Sequence, residues 1–228
     1  MIKIYQVGGH VRDSLLGLKS KDVDFAVEAP SFEAMREYVQ STCKQIFLEK
    51  PEFLTIRALH PKMGAVDFVM CRKDGAYSDG RRPDAVEPGT IFDDLARRDF
   101  VVNAMAIDEE GNLIDPYGGQ RDLEDRLLRC VGLATDRFEE DSLRILRAMR
   151  FSITKNFTLS KGILSVFDHP DIWIPKLQSI SLERRREELH KCFAHSTENT
   201  LRFLRDIPEE WSSSLFQDLW LKPTNEKP

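Results

Sequence analysis

The chain has 228 residues, of which 41% are hydrophobic and 31% are charged, a composition that allows one large or two small globular domains. Its formal net charge of −5 excludes the overall basic surplus that is typical of nucleic-acid-binding proteins. A slight excess of Lys and Arg over Asp and Glu between Arg121 and Lys191 places any RNA-binding surface in the later half of the chain.

Four widely spaced cysteines predict neither a zinc site nor a disulfide framework. Without a leader peptide or a long apolar run, the expected location is the cytoplasm, with no membrane contact.

Apolar alternation and helical spacing organise the first part of the chain. They predict strands at residues 2–7, 23–28, 45–48, 53–59 and 65–71, and helices at 10–16 and 31–42. The Gly8-Gly9 pair predicts a turn after the first strand, and Ser31 is placed to cap the second helix. The segment 72–89, rich in Gly, Pro, Asp and Arg, predicts a long loop of the kind that is more often functional than idle.

The pattern changes character towards residue 132. Thr90 can cap a helix that reaches Arg98, a short helix is expected near Phe100, and residues 105–115 read as a hairpin. From Arg137 onwards the apolar spacing is helical, and nothing later is typical of a sheet. The sequence therefore predicts an α/β domain over residues 1–132, an all-helical part over 133–221 and a flexible tail over 222–228.

Two carboxylates separated by one residue, Asp22 and Asp24, follow the glycine turn. On a strand they point to the same face, where they repel each other unless a divalent cation that prefers oxygen ligands, such as Mg²⁺, lies between them. Gly8 and Gly9 allow a triphosphate to approach the backbone closely, and Arg12 or Lys21 can add positive charge. The plain alternative is a solvated surface pattern, since D-x-D occurs widely.

A third carboxylate, Asp67, lies on a strand among apolar neighbours, where an unpaired charge is costly. We expect it to join Asp22 and Asp24 in one cluster. Three such carboxylates suit a two-metal displacement, in which one ion activates a 3′-hydroxyl and the other steadies the triphosphate and its pyrophosphate leaving group. The glycine turn and Asp67 together favour this reading over the surface pattern.

The segment Glu140-Asp141-Ser142-Leu143-Arg144 is read as helical, so that Asp141 and Arg144 share one face. Cytosine and adenine both present an amino group beside a ring-nitrogen acceptor, and an acceptor–donor pair on the protein selects them against uracil and guanine. The commoner reading is an ordinary surface ion pair. Arg147 and Arg150 extend the face as packing partners, phosphate contacts or both.

Four segments, GGHVRDSLLGLKSKDVDF, LARRDFVVNAMAID, LIDPYGGQRDLEDRLLR and FEEDSLRILRAMRF, resemble successive motifs of the tRNA nucleotidyltransferase and poly(A) polymerase family. The likeness is to bacterial class II CCA-adding enzymes and covers about residues 1–151. It implies a nucleotidyltransferase fold, a mixed sheet with flanking helices, followed by an all-α neck and a body shorter than is usual in the family. The matching residues imply metal binding at Asp22 and Asp24, with Asp67 as third carboxylate, and base recognition at Asp141 and Arg144.

The resemblance also implies that Arg97, Arg98, Asp99 and Asn103 bind ribose and phosphate. Without it, Arg97, Arg98 and Asp99 read equally well as a cationic helix end followed by a capping Asp. Asn103 is similarly open between a backbone hydrogen bond and a sugar hydroxyl. The family motif is what favours nucleotide binding at these positions.

The implied activity is template-independent addition of C and A from CTP and ATP to a tRNA 3′ end, with two Mg²⁺ ions. The alternatives are a poly(A) polymerase, an enzyme that adds only A or only CC, or a catalytically silent RNA-binding subunit. Transfer to a small molecule or a protein fits the same carboxylate chemistry, but the neck motif speaks against it. A homo-oligomer is a further alternative, in which a second copy supplies the RNA-binding surface that the shortened body lacks.

Overall fold

The structure is a computed structural model, and it describes residues 1–18, 23–75 and 86–216. The chain divides into two compact units, Met1–Val131 and Gly132–Pro228. The first combines a mixed sheet with helices, and the second is built almost entirely of helices. The predicted fold class is therefore confirmed. Lys21, Asp22 and the predicted tail 222–228 lie outside the described residues.

The described part of the first unit contains the following elements. Its strands are β1 (Lys3–Val7), β2 (Val23–Glu28), β3 (Gln45–Lys50), β4 (Thr55–His60), β5 (Gly64–Met70), β6 (Arg72–Asp74), β7 (Val86–Pro88), β8 (Ala106–Ile107), β9 (Leu113–Ile114) and β10 (Leu127–Leu128). Its helices are α1 (Gly9–Leu15), α2 (Phe32–Thr42), α3 (Ile91–Ala96) and α4 (Gly119–Glu124), with short 3-10 helices at Pro51–Phe53 and Val101–Asn103.

The main sheet of the first unit has the strand order β3-β4-β5-β2-β1-β8-β9. Strands β2 and β5 run parallel, and the other neighbouring pairs are antiparallel. A parallel pair needs a crossover connection, and the chain between β2 and β5 supplies α2, β3 and β4. As a result β5 lies beside β2 in the middle of the sheet, although it follows much later in the chain.

Side-chain alternation gives the main sheet two apolar faces. One face carries Phe25 and Phe68, whose stacked rings lie 5.1 Å apart, and it packs against Met35 of α2. The other face carries Tyr5 and packs against Leu95 of α3. Burial on both faces fixes the register of the central strands, because a slip of one residue would turn each core side chain to the wrong face.

Local hydrogen bonds fix where the flanking helices begin. Ser31 Oγ accepts from Ala34 N at 3.2 Å and caps α2, as predicted. Thr90 and Asp93 form a reciprocal capping box at the start of α3, in which each side chain accepts from the other residue's backbone N–H. These caps satisfy N–H groups that have no partner within the helix.

The segment 72–89 was predicted as one long loop, and this is wrong at both ends. Strands β6 and β7 pair antiparallel, with Arg72 opposite Pro88. Each strand has only three residues, too few for alternation to distinguish a strand from a loop in a segment rich in Gly and Pro. Residues 76–85, the middle of the predicted loop, lie outside the described part of the chain.

The described part of the second unit contains the following elements. They are α5 (Ala134–Glu140), α6 (Leu143–Lys155), β11 (Thr158–Leu159), α7 (Lys161–Phe167), α8 (Pro170–Gln178), α9 (Leu182–His195), α10 (Thr197–Asp206) and α11 (Glu209–Phe216). The two-residue strand β11 departs from the all-helical prediction, because so short a strand leaves no periodic signal.

Aromatic side chains connect several helices within the core of the second unit. Phe138 of α5 meets Trp173 of α8 edge to face at 6.2 Å. Phe167 of α7 contacts Trp211 of α11 at 5.2 Å, and Trp211 Nε1 donates to the Phe167 carbonyl at 2.8 Å. These contacts join helices distant in sequence, and the buried indole keeps a hydrogen-bond partner. Within the described residues, the helices of both units lack the length and apolarity that crossing a bilayer requires.

Candidate active site

Asp24 and Asp67 lie directly beside each other on the parallel strands β2 and β5. Neighbouring strands are about 4.8 Å apart, and paired residues point to the same face. The two carboxylates therefore share one face, opposite the face that carries Phe25 and Phe68. Hard carboxylate oxygens at this spacing fit a divalent cation such as Mg²⁺. The described residues contain no group of three ligands, but Asp22, the third member of the predicted trio, lies outside them.

An arginine that the sequence did not single out stands next to this pair. Arg57 on β4 is directly opposite Asp67, and its Nε lies 3.7 Å from Asp67 Oδ1. About half of the Arg57 side chain is exposed, 48% against 34% for Asp67. Strand alternation alone does not give the register between β4 and β5, so no pattern in the sequence joins these two residues.

The glycine turn reaches the same place from the other side of Asp24. Gly8 has φ of +71°, a conformation that side chains disfavour. A Cβ atom at Gly8 would lie 3.1 Å from Arg98 Nη1 and 3.9 Å from Asp24 Oδ2. At Gly9 a Cβ atom would lie 3.5 Å from Arg12 Nη2. The missing side chain thus keeps open a space bordered by a carboxylate and a guanidinium group.

Asp94, which the sequence reading passed over, holds both arginines of the predicted nucleotide-binding motif. Arg98 Nε and Nη2 donate to Asp94 Oδ2 at 3.2 and 2.8 Å, and Arg97 Nε donates to Asp94 Oδ1 at 3.1 Å. Burial opposes ionisation of Asp94, but the charges of Arg98 and Arg97 prevail and lower its pKa. The spacing of three and four residues in DDLARR was the available signal.

The other predicted ribose and phosphate residues form a buried hydrogen-bonded chain. Arg12 Nη1 donates to Asn103 Oδ1 at 2.6 Å, and Asn103 Nδ2 donates to Asp99 Oδ1 at 3.1 Å. Asp99 Oδ1 also accepts from Phe100 N at 2.8 Å, so Asp99 organises the segment that follows α3. Arg98 Nη1 donates to the Asn103 carbonyl at 3.2 Å. These contacts link Arg12, Arg98, Asp99 and Asn103 into one rigid group.

The second unit corrects the predicted relationship between Asp141 and Arg144. Asp141 is extended, with φ of −151° and ψ of 102°, and separates α5 from α6, so the two residues do not share a helical face. Asp141 Oδ1 accepts from Leu143 N at 3.0 Å, and Oδ2 lies 3.2 Å from Arg184 Nη2. A short acidic side chain just before a helix satisfies N–H groups of its first turn, and this favours the break.

The cations of α6 have close protein partners. Arg144 Nη1 donates to Glu140 Oε2 at 2.7 Å and to the Arg137 carbonyl at 3.1 Å. Arg150 Nε donates to Glu188 Oε2 at 2.6 Å, and its guanidinium lies 4.7 Å from the centre of the Phe151 ring. Arg147 lies 5.9 Å from the same ring centre. Arg150 therefore contributes to packing between α6 and α9 through Glu188, and it lies against Phe151 of its own helix.

A mixed sheet with carboxylates on two parallel central strands, bordered by a glycine turn and an arginine, defines a head domain of the nucleotidyltransferase fold. The poly A polymerase head domain family matches residues 4–129. The chain belongs to this family, and the resemblance drawn from its motifs is confirmed.

Several relatives are similar over most of the chain. The CCA-adding enzyme of Geobacillus kaustophilus is 38% identical over 197 residues, which cover 83% of this chain and 45% of that protein. The CCA-adding enzyme of Lactococcus lactis subsp. cremoris is 40% identical over 223 residues, covering 96% of this chain and 53% of that protein. The chain thus spans about half the length of the curated relatives it matches.

Solved structures agree with this relationship. The Bacillus stearothermophilus CCA-adding enzyme in complex with CTP has a TM-score of 0.76 and 32% identity, covering 90% of this chain and 48% of that one. The Thermotoga maritima CCA-adding enzyme complexed with tRNA has a TM-score of 0.73 and 26% identity, covering 97% of this chain and 50% of that one.

Proposed function

We propose that this chain is a template-independent RNA nucleotidyltransferase that adds C and A to the 3′ end of tRNA from CTP and ATP. In each step the 3′-oxygen of the RNA forms a bond to the α-phosphorus, the bond between that phosphorus and the leaving pyrophosphate breaks, and the hydroxyl proton passes to water. The observation that carries the proposal is the side-by-side placement of Asp24 and Asp67 beside the Gly8 turn. The names of the relatives support the choice of tRNA and of the CCA sequence.

Asp24 and Asp67, with Asp22, are the residues that would hold two Mg²⁺ ions. When bound, Mg²⁺ supplies charge neutralisation at the triphosphate and makes the attacking hydroxyl more acidic. Asp24 and Asp67 set the position of the reaction, because they project from central strands that both apolar cores hold in place. A rigid scaffold of this kind is what transfer between two oriented substrates needs.

The triphosphate binds beside the Gly8-Gly9 turn in this proposal. Gly8 leaves room for it, and Arg98 presents positive charge at the same place. Asp94 fixes the direction of Arg97 and Arg98, so that their charges are already oriented before the nucleotide arrives. Preorganised charge is more effective than charge that must reorient during the reaction.

The ribose and the remaining phosphate contacts fall to the group formed by Arg12, Asp99 and Asn103. Their mutual hydrogen bonds keep the polar atoms of this group in fixed positions although they are buried. A nucleotide that binds here meets oriented donors and acceptors.

Asp141 and Arg144 select the base in this proposal, by accepting from the amino group and donating to the ring nitrogen that C and A share. The shared helical face no longer supports the assignment, but both side chains are held by neighbours: Asp141 by Leu143 N and Arg184, and Arg144 by Glu140. Fixed side chains discriminate better than mobile ones. Arg147 and Arg150 are assigned to phosphate or packing on the same helix.

The deciding experiment uses the purified chain, Mg²⁺, a tRNA transcript that lacks its CCA end, and each labelled nucleoside triphosphate alone and in mixtures. We expect C to be added with CTP alone, and a complete CCA end with CTP and ATP together. Addition of only C, only A, or a long A tract would assign the chain to one of the alternative polymerising activities. Absence of incorporation with every nucleotide would overturn the proposal.

A further inference from the structure

One face of the sheet continues outward from the candidate active site to the sheet edge. Leu48 on β3, Arg57 on β4 and Asp67 on β5 are paired across neighbouring strands, and Asp24 on β2 completes the row. Paired residues point to the same face, so these side chains line a single surface. We call the part of this face formed by β3, β4 and β5 the outer face.

The outer face is accessible to solvent, unlike the face behind it. Leu48 is 45% exposed and the Arg57 side chain is 48% exposed. The alternate residues of β4, Ile56 and Ala58, are completely buried in the core beneath α2. An exposed leucine and an exposed arginine thus lie side by side next to the candidate catalytic carboxylates, and they give this face both apolar and cationic surface.

The charge of the outer face favours an anionic partner at its centre. Its cations are Arg57 and Lys50, which is paired with Thr55 on the same face. Among the described residues that this face presents on β3, β4 and β5, Asp67 is the sole carboxylate. The arginine is a suitable phosphate ligand, and the leucine offers apolar surface to a sugar or a base.

The position of the triphosphate determines which substrate this face can serve. Gly8 and Arg98 lie on the β1 side of Asp24, whereas Arg57 lies on the β4 side of Asp67. In phosphoryl transfer the attacking and leaving oxygens are roughly in line, on opposite sides of the phosphorus. With the triphosphate on the β1 side, the attacking hydroxyl must come from the β4 side.

We propose that the outer face binds the 3′-terminal nucleotide of the RNA acceptor, with Arg57 on the phosphate that precedes the attacking hydroxyl and Leu48 against the terminal sugar or base. This inference rests on the proposed function and assigns the acceptor to a surface of its own. The distance of 3.7 Å between Arg57 Nε and Asp67 Oδ1 exceeds a hydrogen bond. Arg57 can therefore turn to a phosphate without losing a strong partner.

The chain offers a matched control for Arg57. Arg36 on α2 is also about half exposed, at 43% of its side chain, and its Nε lies 2.8 Å from Glu49 Oε2 of β3. Glu49 is paired with Ile56 and thus faces the opposite side of the same sheet edge. Arg57→Ala and Arg36→Ala each remove one exposed arginine from this edge, and only the first changes the outer face.

The experiment measures steady-state transfer to a tRNA lacking its CCA end, together with RNA binding in the absence of nucleotide. For Arg57→Ala we expect the KM and Kd for RNA to rise about tenfold, as for a lost charged contact, with the KM for CTP and kcat at saturating RNA nearly unchanged. The slope of log Kd for RNA against log salt concentration should fall by about one, as for the loss of one phosphate contact. Arg57→Lys should recover most of the affinity, and Arg36→Ala should match the wild type.

The outcomes separate this inference from the proposed function. If the wild type adds nucleotides but Arg57→Ala and Arg36→Ala bind RNA equally well, the outer face does not bind the acceptor and the proposed function stands. A fall in kcat without a change in KM for RNA would also overturn the inference, because Arg57 would then act through Asp67. If the wild type adds no nucleotide to any RNA, the proposed function fails and the assignment of Arg57 fails with it.

Discussion

Asp94 and Arg98 form a two-point contact in which Nε and Nη2 of the arginine both donate to Oδ2 of the carboxylate. The Nη1 atom of the same arginine borders the space beside Gly8 and donates to the Asn103 carbonyl. Asp94 is almost completely buried, and it also holds Arg97. The Asp94 carboxylate thus orients both arginines that the triphosphate is proposed to meet, although Asp94 is not among the predicted nucleotide-binding residues.

The first prediction concerns Asp94→Asn. The variant keeps the shape of the side chain but removes the charge that opposes two guanidinium groups, so we expect the free energy of unfolding to fall by about 2 kcal/mol. The KM for CTP should rise by about tenfold or more, because the Arg98 side chain loses its fixed direction. Denaturation in urea and steady-state kinetics measure the two effects.

Asp93→Asn, one residue away, is the control. It weakens the capping box at the start of α3, which costs about 1 kcal/mol of stability, but it touches neither arginine in the described contacts. Equal kinetic effects of the two substitutions would show that Asp94 acts only through the stability of α3.

The pH dependence of the same pair follows from the lowered pKa of Asp94. A carboxyl group with a lower pKa in the folded state contributes stability that is fully present above its unfolded pKa, near 3.8, and is lost as the pH falls through the folded value. The difference in unfolding free energy between wild type and Asp94→Asn should therefore be constant from pH 5 to 7, on the order of the full effect. It should narrow below about pH 4. A difference that is constant down to pH 3 would contradict the ion-pair assignment.

The second prediction compares two glycines that share a positive φ. Gly8 and Gly17 have φ of +71° and +70°, but a Cβ atom at Gly17 meets nothing within 4 Å, whereas at Gly8 it meets Arg98 and Asp24. Each Gly→Ala substitution places a side chain at positive φ and should cost at least about 1–2 kcal/mol of stability through backbone strain. Gly8→Ala should in addition reduce kcat/KM for CTP by about tenfold or more.

Both variants are compared in one series of urea denaturation and transfer assays. Both variants should lose stability, but only Gly8→Ala should lose transfer activity. If Gly17→Ala impairs transfer as much as Gly8→Ala, strain in the turn and not the space beside Arg98 is responsible.

Local patterns in the sequence predicted much of the fold. Strands β1 and β2 alternate clearly, and Ser31 precedes an amphipathic stretch, so α2 and its cap could be located from neighbouring residues alone. The β6–β7 pairing could not, because three-residue strands in a Gly- and Pro-rich segment have no period. The break at Asp141 was missed for a related reason: a helical apolar spacing continues across it, and the backbone turns only at that one residue.

Long-range register was beyond the sequence. The pairing of Asp24 with Asp67 follows from the parallel arrangement of β2 and β5, and Arg57 enters the site only through the register of β4. Arg12 and Asn103 are 91 residues apart in the chain but form one hydrogen bond. Side-chain type indicated which residues bear chemistry, but tertiary packing decides which of them are neighbours.

The third prediction concerns Asp24→Asn and the metal. Removing one of two adjacent carboxylates should lower transfer with every nucleotide by about three orders of magnitude or more, because a charge that is proposed to hold Mg²⁺ is lost. Added Mg²⁺ should raise the Tm of the wild type but not that of the variant.

Thermal unfolding with and without Mg²⁺ supplies this test independently of any RNA substrate. Glu49→Gln, on the opposite face of the sheet edge, is a suitable control because it removes a carboxylate that contacts Arg36. A wild-type Tm that does not respond to millimolar Mg²⁺ would contradict metal binding at the carboxylates in the absence of nucleotide.

The last prediction tests the proposed role of Arg144 in base selection. Its Nη1 is held by Glu140 and by the Arg137 carbonyl, so the side chain has a defined direction from which to donate to a base. Arg144→Ala should reduce the preference for CTP and ATP over UTP and GTP by about tenfold or more, because a site built to bond a polar group rejects analogues that lack it.

Measuring kcat/KM for all four nucleotides tests this prediction. Arg202→Ala is the control, since it removes an exposed arginine that is paired with Glu198 on α10. If the four values fall by the same factor in Arg144→Ala, the arginine supports the fold of α6 and does not read the base. If Arg144→Ala rejects UTP and GTP less strongly while Mg²⁺ still raises its Tm, the base-selecting role of Arg144 is distinct from the proposed metal binding by Asp24 and Asp67.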